Sequence, residues 1–562
     1  CLRLVRRYGN EAQTILQTEP YRIVRDVKGI GFKTADKIAL NLGVSTNGPE
    51  RIDAGILHAM DELEGDGHTC ADRQELTDKA TEILELHPDE VTARLDALRS
   101  TADLVECVAD VFQLPTTARA EQVTAHSLGK LAAAPSCLPS ILVDKALEWA
   151  QKKAGFGFAS EQADGIRAAL SSKVSILTGG PGTGKTTILQ ALVSILKAKK
   201  TRLQLTAPTG RASRRMADTT GHFSQTIHRL LKFNPSAGGF TMDEQMPLAC
   251  DFVVMDEASM LDVRLAAALF RAIPSQAHLL LVGDADQLPS VGCGNVLKDL
   301  IDSGLFPVTR LQVTFRQKED SGIVGTAHGI LAGRGSPPSP AYDPEMLDLS
   351  RDVHFVRALD PEACVDAVRR LCRDILPKKL RLDPLRDIQV LAPMHRGIAG
   401  IANLNDELRD ALNPTGATHV FGQTLFREGD RVIQTRNNYD KDVFNGDLGT
   451  IAAVNTMEGS VEVDFEGRPI RFERLEVADL QPAYAISVHK SQGSEYPVVV
   501  FPLMKQHYMM LQRNLVYTGL TRARKKVFFV GDPAAYAMAI RNDKTLARHT
   551  DLIRKLALAT SA

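Results

Sequence analysis

The chain is predicted to be an α/β protein with two parallel-sheet domains in tandem, a small β-barrel inserted into the second, and an all-helical region in front. Three observations predict it. Beyond residue 170, short apolar runs alternate with helical stretches: VSILTG (174–179), RLQLTAP (202–208), DFVVMDE (251–257) and HLLLVGD (278–284). Such alternation builds βαβ units, and runs this uniformly apolar are buried on both faces of a parallel sheet. The same texture resumes at IQVLAP (388–393) and VVVFPL (498–503). Between those two, from about 425 to 480, it gives way to strands and tight turns (GDRVIQT, FNGDLGTIAAV, GSVEVDF, RPIRFE), the pattern of a small barrel.

Residues 1–150 read as helical, with segments such as ERIDAGILHAMDELE carrying apolar residues at helical spacing. Turns are expected near 114–118 and 132–140, and a Pro-rich loop at 333–344. A length of 562 residues accommodates three to five domains at about 150 residues each. The boundaries expected are 1–48 for a hairpin-bearing helical region and 49–150 for a second helical region, with a winged-helix-like arrangement as one option. The first α/β domain is expected at 151–310, and the second, with the barrel insert, at 311–562.

Composition excludes several classes. Hydrophobic residues make up 44% and charged residues 24%, as in ordinary globular protein. No apolar run reaches the roughly 18 residues needed to cross a bilayer. The first residues, CLRLVRRYGNEAQ, lack the apolar stretch of a signal peptide, so a cytoplasmic location is expected. The eight cysteines form no CxxC pair and have no histidine cluster beside them, which disfavours zinc and disulfide frameworks. A net charge of −1 carries no overall nucleic-acid signal. The basic residues gather locally, in 211–232 and 522–526, whereas 61–110 is acid-rich. Each patch taken alone reads equally well as a solvated helix face.

The strongest chemical signal is GGPGTGKTT (179–187). It follows the apolar run VSIL and precedes the helical pattern ILQALVSILKA, the strand–loop–helix setting a phosphate-binding loop requires. Glycines let the backbone N–H groups of Gly180, Pro181–Gly182–Thr183 and Gly184 crowd around phosphates, with Pro181 contributing no donor, and the helix N-terminus adds favourable dipole charge. Lys185 is expected to neutralise the β- and γ-phosphates, Thr186 to ligate Mg²⁺, and Thr187 to complete the loop. ATP and Mg²⁺ are therefore the expected ligands. In VVMDEAS (253–259), two carboxylates end a strand: Asp256 would hold Mg²⁺ through water and Glu257 would activate the attacking water. Gln287, in LLLVGDADQLPSVG, is placed to sense the γ-phosphate. Arg316 in VTFRQ and Arg522 in NLVYTGLTRARKK are candidates to reach the transferred phosphoryl group. Each arginine alone is more often a surface ion pair. An arginine supplied across a domain interface would make closure depend on nucleotide state, which is what a motor needs.

In this order, the five stretches resemble a superfamily 1 helicase, with GDADQLP the discriminating element. LTAPTGRAS (205–213), TIHRLL (226–231), VLAPMHRG (390–397), NNYDKDVFNGDLG (437–449) and AYAISVHKSQGSEYPVVV (483–500) resemble the RecD-like branch. The resemblance spans residues 5–540. VKGIGFKTADKIA (27–39) looks like a helix–hairpin–helix whose Gly29 and Gly31 would present backbone N–H groups to a DNA phosphate. Its null is an ordinary glycine-capped turn. The pairing is similar to the stand-alone RecD-like helicases, here N-terminally truncated, since members usually carry a further small domain ahead of the hairpin and this sequence opens with Cys1. The resemblance implies two RecA-like domains and a 5′→3′ DNA helicase that translocates on single-stranded DNA and unwinds duplex, in DNA repair or recombination, as a monomeric motor. It also implies an adenine-reading role for Gln162 and a duplex-splitting pin at about 232–250. The single-strand channel would be lined by Thr209, Arg211, His489, Ser491 and Gln492. Aromatic residues are only 5%, so base stacking has few candidates. The rivals are a translocase that moves without separating strands and a DNA-binding scaffold with a dead ATP site. The complete set of nucleotide-site residues weighs against the scaffold.

Overall fold

The computed structural model describes residues 2–27, 30–234, 238–312, 322–338, 340–341, 343–415, 418–421, 424–543 and 547–561. The first α/β domain is built on a six-stranded sheet in the order Val308–Leu311, Val174–Gly179, His278–Gly283, Phe252–Met255, Leu203–Ala207, Ser224–Thr226. All its neighbours pair in parallel. Alternation along each strand feeds two separate cores. Val253, Met255, Leu279 and Leu281 pack into one. Phe252, Val254, Leu280 and Val282 pack into the other, with helices Ser160–Ser171 and Lys185–Ala198.

The second domain repeats the plan. Its parallel strands run in the order Pro340–Ala341, Val353–Arg357, Ala523–Gly531, Tyr496–Leu503, Ile388–Ala392, Ala485–Ser487. Val499 and Phe501 face one core, Val498 and Val500 the other. The barrel insert is a five-stranded antiparallel sheet, Arg468–Phe472, Ser460–Phe465, Leu448–Asn455, Arg431–Gln434, Leu480–Pro482, closed around Phe426, Phe465, Phe472 and five valines and aliphatics. It begins earlier than expected, since the hairpin Thr418–Phe421 with Thr424–Arg427 precedes it.

The region in front departs from the expected boundaries in two ways. Residues 49–113 are not wholly helical. Helix Pro49–Gly65, strand Ala71–Asp72, helices Arg73–Leu84 and Pro88–Ser100, and the hairpin Val105–Val108 with Val111–Gln113 form a three-stranded sheet with the first strand beside the last. That is the winged-helix arrangement. The strands are only two to four residues long, too short for a period-two pattern to stand out. Second, the 151 boundary fails. Helix Pro115–Ala133 places Ala120, Ala125, Leu128 and Leu131 in the first domain's core, joined by Leu552 and Leu556 from the chain's last helix, Leu552–Ser561. The C-terminal helix thus belongs to the first domain, not to the second.

Ahead of the winged helix, Arg22–Asp26 and Phe32–Asn41 form the helix–hairpin–helix, with Gly31 as N-cap of the second helix. It is locked to the winged helix by a buried polar joint: Arg51 donates from Nε and Nη2 to the two carboxylate oxygens of Asp36 (2.8 and 3.0 Å), which also accepts from the Tyr21 hydroxyl (2.6 Å). Removing either partner of such a pair leaves a charge buried alone.

Because Leu556 is fully buried and Leu558 is 60% exposed, Leu556→Ala should cost about 2–5 kcal/mol and lower the first unfolding transition. Leu558→Ala should leave it in place. Calorimetry of the two variants checks that the final helix is part of the first domain.

Candidate nucleotide site and nucleic-acid surfaces

The C-terminal ends of the strands of the first sheet open into a cleft of about 1210 Å³ shared with the second domain and the barrel. Strand Val174–Gly179 runs into the loop, whose Gly182 and Gly184 adopt φ of 77° and 87°, a left-handed backbone that a side chain would strain. A Cβ on Gly179 would lie 2.9 Å from the Leu311 carbonyl and the Thr183 hydroxyl, so the loop also needs glycine for packing. Gly180, Pro181, Gly182, Thr183, Gly184, Lys185, Thr186 and Thr187 all line the cleft. The Lys185 ammonium donates to the carbonyls of Gly179 and Gly180, and the Thr183 hydroxyl donates to Gly180 (2.8 Å).

Opposite the loop stand Asp256 and Glu257, at the end of strand Phe252–Met255. Burial, reinforced by the charge of Glu257, pushes the Asp256 carboxyl up to about 6. Glu257 has φ of 55°, and such a conformation costs a non-glycine residue about 1–3 kcal/mol. Its N–H donates to Asp256 Oδ1 (2.8 Å). The kink turns successive carboxylates toward the same cleft, where a straight strand would send them to opposite faces.

The next strand end holds Asp284, a buried carboxylate. Its Oδ2 accepts from Gln287 Nε2 (3.0 Å) and from the Tyr517 hydroxyl of the second domain (3.0 Å). Burial and the Asp284 charge raise the Tyr517 pKa strongly, keeping it a donor. One residue beyond Gln287, the Leu288 N–H donates to Thr518 Oγ1 (2.8 Å), and the Leu288 carbonyl accepts from Gln492 Nε2 (2.9 Å). Arg522, at the C-terminus of helix Arg513–Thr521, lines the same cleft with its guanidinium near the Thr518 and Ser494 carbonyls. Lys185, Asp256, Glu257, Gln287 and Arg522 thus converge as the sequence led one to expect. Gly29 and Arg316 lie outside the described residues.

Comparison with known proteins agrees with this geometry. The helix–hairpin–helix domain of the ATP-dependent RecD2 DNA helicases matches residues 1–70, and the AAA domain matches 162–293. The SH3 domain of the ATP-dependent RecD-like DNA helicases matches 404–465, and the UvrD-like helicase C-terminal domain matches 482–530. The ATP-dependent RecD2 DNA helicase of Deinococcus radiodurans is 32% identical over 99% of this chain and 75% of its own length. This chain belongs to the RecD2 family of ATP-dependent DNA helicases. The RecD subunit of the RecBCD enzyme of Mycobacterium tuberculosis is also 32% identical, over 68% of this chain and 70% of its own. Among solved structures, Pif1 helicase from Candida albicans is 18% identical with a TM-score of 0.42, covering 71% of this chain and 98% of its own.

Several residues expected at other sites are placed differently in this RecD2-family chain. Arg211 faces the nucleotide cleft, donating from Nη1 to Ser494 Oγ (2.8 Å) and Tyr496 Oη (3.3 Å) across the domain boundary. Gln492 is buried in its bond to Leu288, and the buried Ser491 hydroxyl donates to the Val488 carbonyl (2.7 Å). All three make hydrogen bonds within the protein. Thr209 caps helix Gly210–Thr220, accepting from the Ala212 N–H (3.3 Å). His489 is partly buried, and burial lowers its pKa. Gln162 is buried, its Oε1 accepting from the Ala159 N–H (3.1 Å) at the start of its own helix, and it is not among the residues lining the cleft. Gly31 is exposed at a helix start with open space around it. The expected pin is a short hairpin, Phe233–Asn234 with Gly239–Phe240, whose base is an aromatic cluster of Phe233, Phe240 and His228.

Sequence reasoning missed Asp284, Tyr517 and the Arg215–Glu495 pair (2.7 Å). Asp284 and Tyr517 lie inside stretches already singled out, but nothing local says that two groups 233 positions apart share a hydrogen bond.

Tyr517→Phe removes one donor from buried Asp284 and no core volume. Leaving a buried acceptor short of its donor costs about 1–3 kcal/mol. Steady-state assays should show DNA-stimulated ATPase kcat reduced roughly tenfold, and the melting temperature should fall by a few degrees.

Proposed function

We propose that this chain translocates 5′→3′ on single-stranded DNA and separates the duplex ahead of it, in repair or recombination. The observation that carries the reading is that the nucleotide cleft is walled by both domains: phosphate loop, Asp256, Glu257 and Gln287 from one, Arg522 from the other. Any change in the bound phosphates then changes the force holding the domains together, and alternating closure is what moves a strand. The phosphate-loop N–H groups and Lys185 would bind the β- and γ-phosphates, Glu257 would orient the attacking water, and Gln287 and Arg522 would meet the charge on the γ-phosphoryl.

Mg²⁺ fits the residues present. Asp256 is a partly buried carboxylate whose charge is disfavoured, and Thr186 lines the same cleft. A divalent cation held by Thr186 and, through water, by Asp256 would neutralise phosphate charge when bound.

For DNA, backbone N–H groups at the helix start beside exposed Gly31 would hold a phosphate. The third helix of the winged-helix region carries Arg94 and Arg99 beside Asp89, Glu90 and Asp96, and Arg73 pairs with Asp96 and Asp110, so its charge is mixed. The Phe233–Phe240 hairpin is the candidate wedge.

Unwinding of duplexes with a 5′ or a 3′ single-stranded tail, in the presence of ATP and Mg²⁺, tests the reading. Only the 5′-tailed duplex should open, and Lys185→Ala should abolish hydrolysis and unwinding with the fold intact. Opening from the 3′ tail refutes the polarity. Phe233→Ala with Phe240→Ala should reduce strand separation several-fold and keep DNA-stimulated ATPase within about twofold. Equal loss of both would remove the hairpin from the role of wedge.

A further inference from the structure

Residues 547–551, just ahead of the last helix, run between the winged helix and the loop that follows Gln287. Arg548 lies at the centre of this strap. Its Nη1 donates to Ser290 Oγ (3.2 Å), Gly292 O (3.1 Å) and Gly294 O (2.7 Å), and its Nη2 donates to Ser290 O (2.8 Å). These partners are carbonyls and a hydroxyl rather than a carboxylate, and burial lowers the pKa of the guanidinium. Four bonds from one partly buried guanidinium to a single loop fix where that loop lies.

On its other side the strap is fastened to the winged helix. The Thr69 N–H donates to His549 O (2.8 Å), the His549 N–H to His68 Nδ1 (3.2 Å), and His549 Nδ1 pairs with Glu75 (3.2 Å). Both imidazoles use Nδ1 in these contacts, so His68, Glu75 and His549 act as a latch. Gly67 has φ of 101°, and a Cβ there would lie 2.2 Å from Arg548 Nε, so the guanidinium lies flush on the winged-helix backbone. The Gly294 N–H donates to the Gly67 carbonyl (2.9 Å), closing the joint.

The loop gripped by Arg548 is the one that carries Gln287 at its start and touches Thr518 and Gln492 of the second domain through Leu288. Within eleven residues, 284–294, one segment meets the nucleotide cleft, the second domain, and the N-terminal module. We propose that Arg548 is a positioning residue: by holding the 290–294 loop against the winged helix, it couples the DNA-binding module at the N-terminus to Gln287 and hence to ATP hydrolysis. This inference rests on the helicase assignment. It makes the winged helix a lever between the helix–hairpin–helix and the motor.

The test uses the full chain, Arg548→Met (which keeps the length of the stem) and Arg548→Lys. The readouts are melting temperature, affinity for a fluorescent ATP analogue, kcat and KM for ATP at saturating single-stranded DNA, and base pairs opened per ATP on a 5′-tailed duplex. Arg548→Met should lower kcat about tenfold with KM within about twofold, and Arg548→Lys should recover part of it. Unchanged kcat and coupling in folded Arg548→Met would overturn the proposal. Should Arg548→Met melt early, Glu75→Gln with His549→Ala decides, because both side chains are partly exposed and only the latch is lost. That pair should keep single-strand-stimulated ATPase within about twofold and lower base pairs opened per ATP at least several-fold. Undiminished coupling would overturn the proposal. A wild-type chain without DNA-stimulated ATPase would instead refute the helicase reading itself.

Discussion

The buried carboxylate of Asp284 is the interaction on which the motor depends. It sits at the end of a central strand, and both donors on Oδ2 come from functionally opposed places: Gln287 beside the nucleotide and Tyr517 in the other domain. A buried acid is tolerable only while its hydrogen bonds are made. The two domains are therefore joined through a group that cannot be left unsatisfied, and the joint lies in the wall of the nucleotide cleft. The bonds from Leu288 to Thr518 and from Gln492 to Leu288 extend the same seam.

Around that seam, the fold supplies cations and small residues for close approach. Arg211 reaches Ser494 and Tyr496, Arg215 pairs with Glu495, and Arg214 lies 3.6 Å from Asp447 of the barrel. Gly210 lets the Phe444 ring sit against the helix backbone, since a Cβ there would come within 2.5 Å of the ring. The barrel is thus packed on the first domain as well as carried by the second. Its placement gives the arginine helix Gly210–Thr220 contacts with both the second domain and the barrel. Partly exposed ion pairs of this kind contribute little each to stability. Their worth is in fixing how the domains meet.

The last helix and its strap make the architecture cyclic. Lys555 donates to buried Glu121 (2.9 Å) and Gln113 (2.8 Å), and Glu121 also accepts from the Thr69 hydroxyl (2.6 Å). This dry polar cluster welds the C-terminal helix to the helix Pro115–Ala133 and to the winged helix. The chain's end thereby holds its beginning, with the motor in between.

Much of this was legible in the sequence. Strand–loop–helix patterns and the motif residues Lys185, Thr186, Asp256, Glu257, Gln287 and Arg522 are local: each needs only a strand end or a helix start, and short-range physics specifies those. The two sheets, the barrel and the helix–hairpin–helix followed from periodicity and turn residues for the same reason. What only the tertiary structure decided are pairings between distant positions. Ser491 and Gln492 turned out to be buried and bonded internally, and Gln162 to be tied to its own helix. Helix Pro115–Ala133 joined the first domain, and Arg548 found the loop behind Gln287. A side chain's type shows what it can bond, but its partner depends on which backbone the fold brings within about 3 Å, and that is a property of the whole chain.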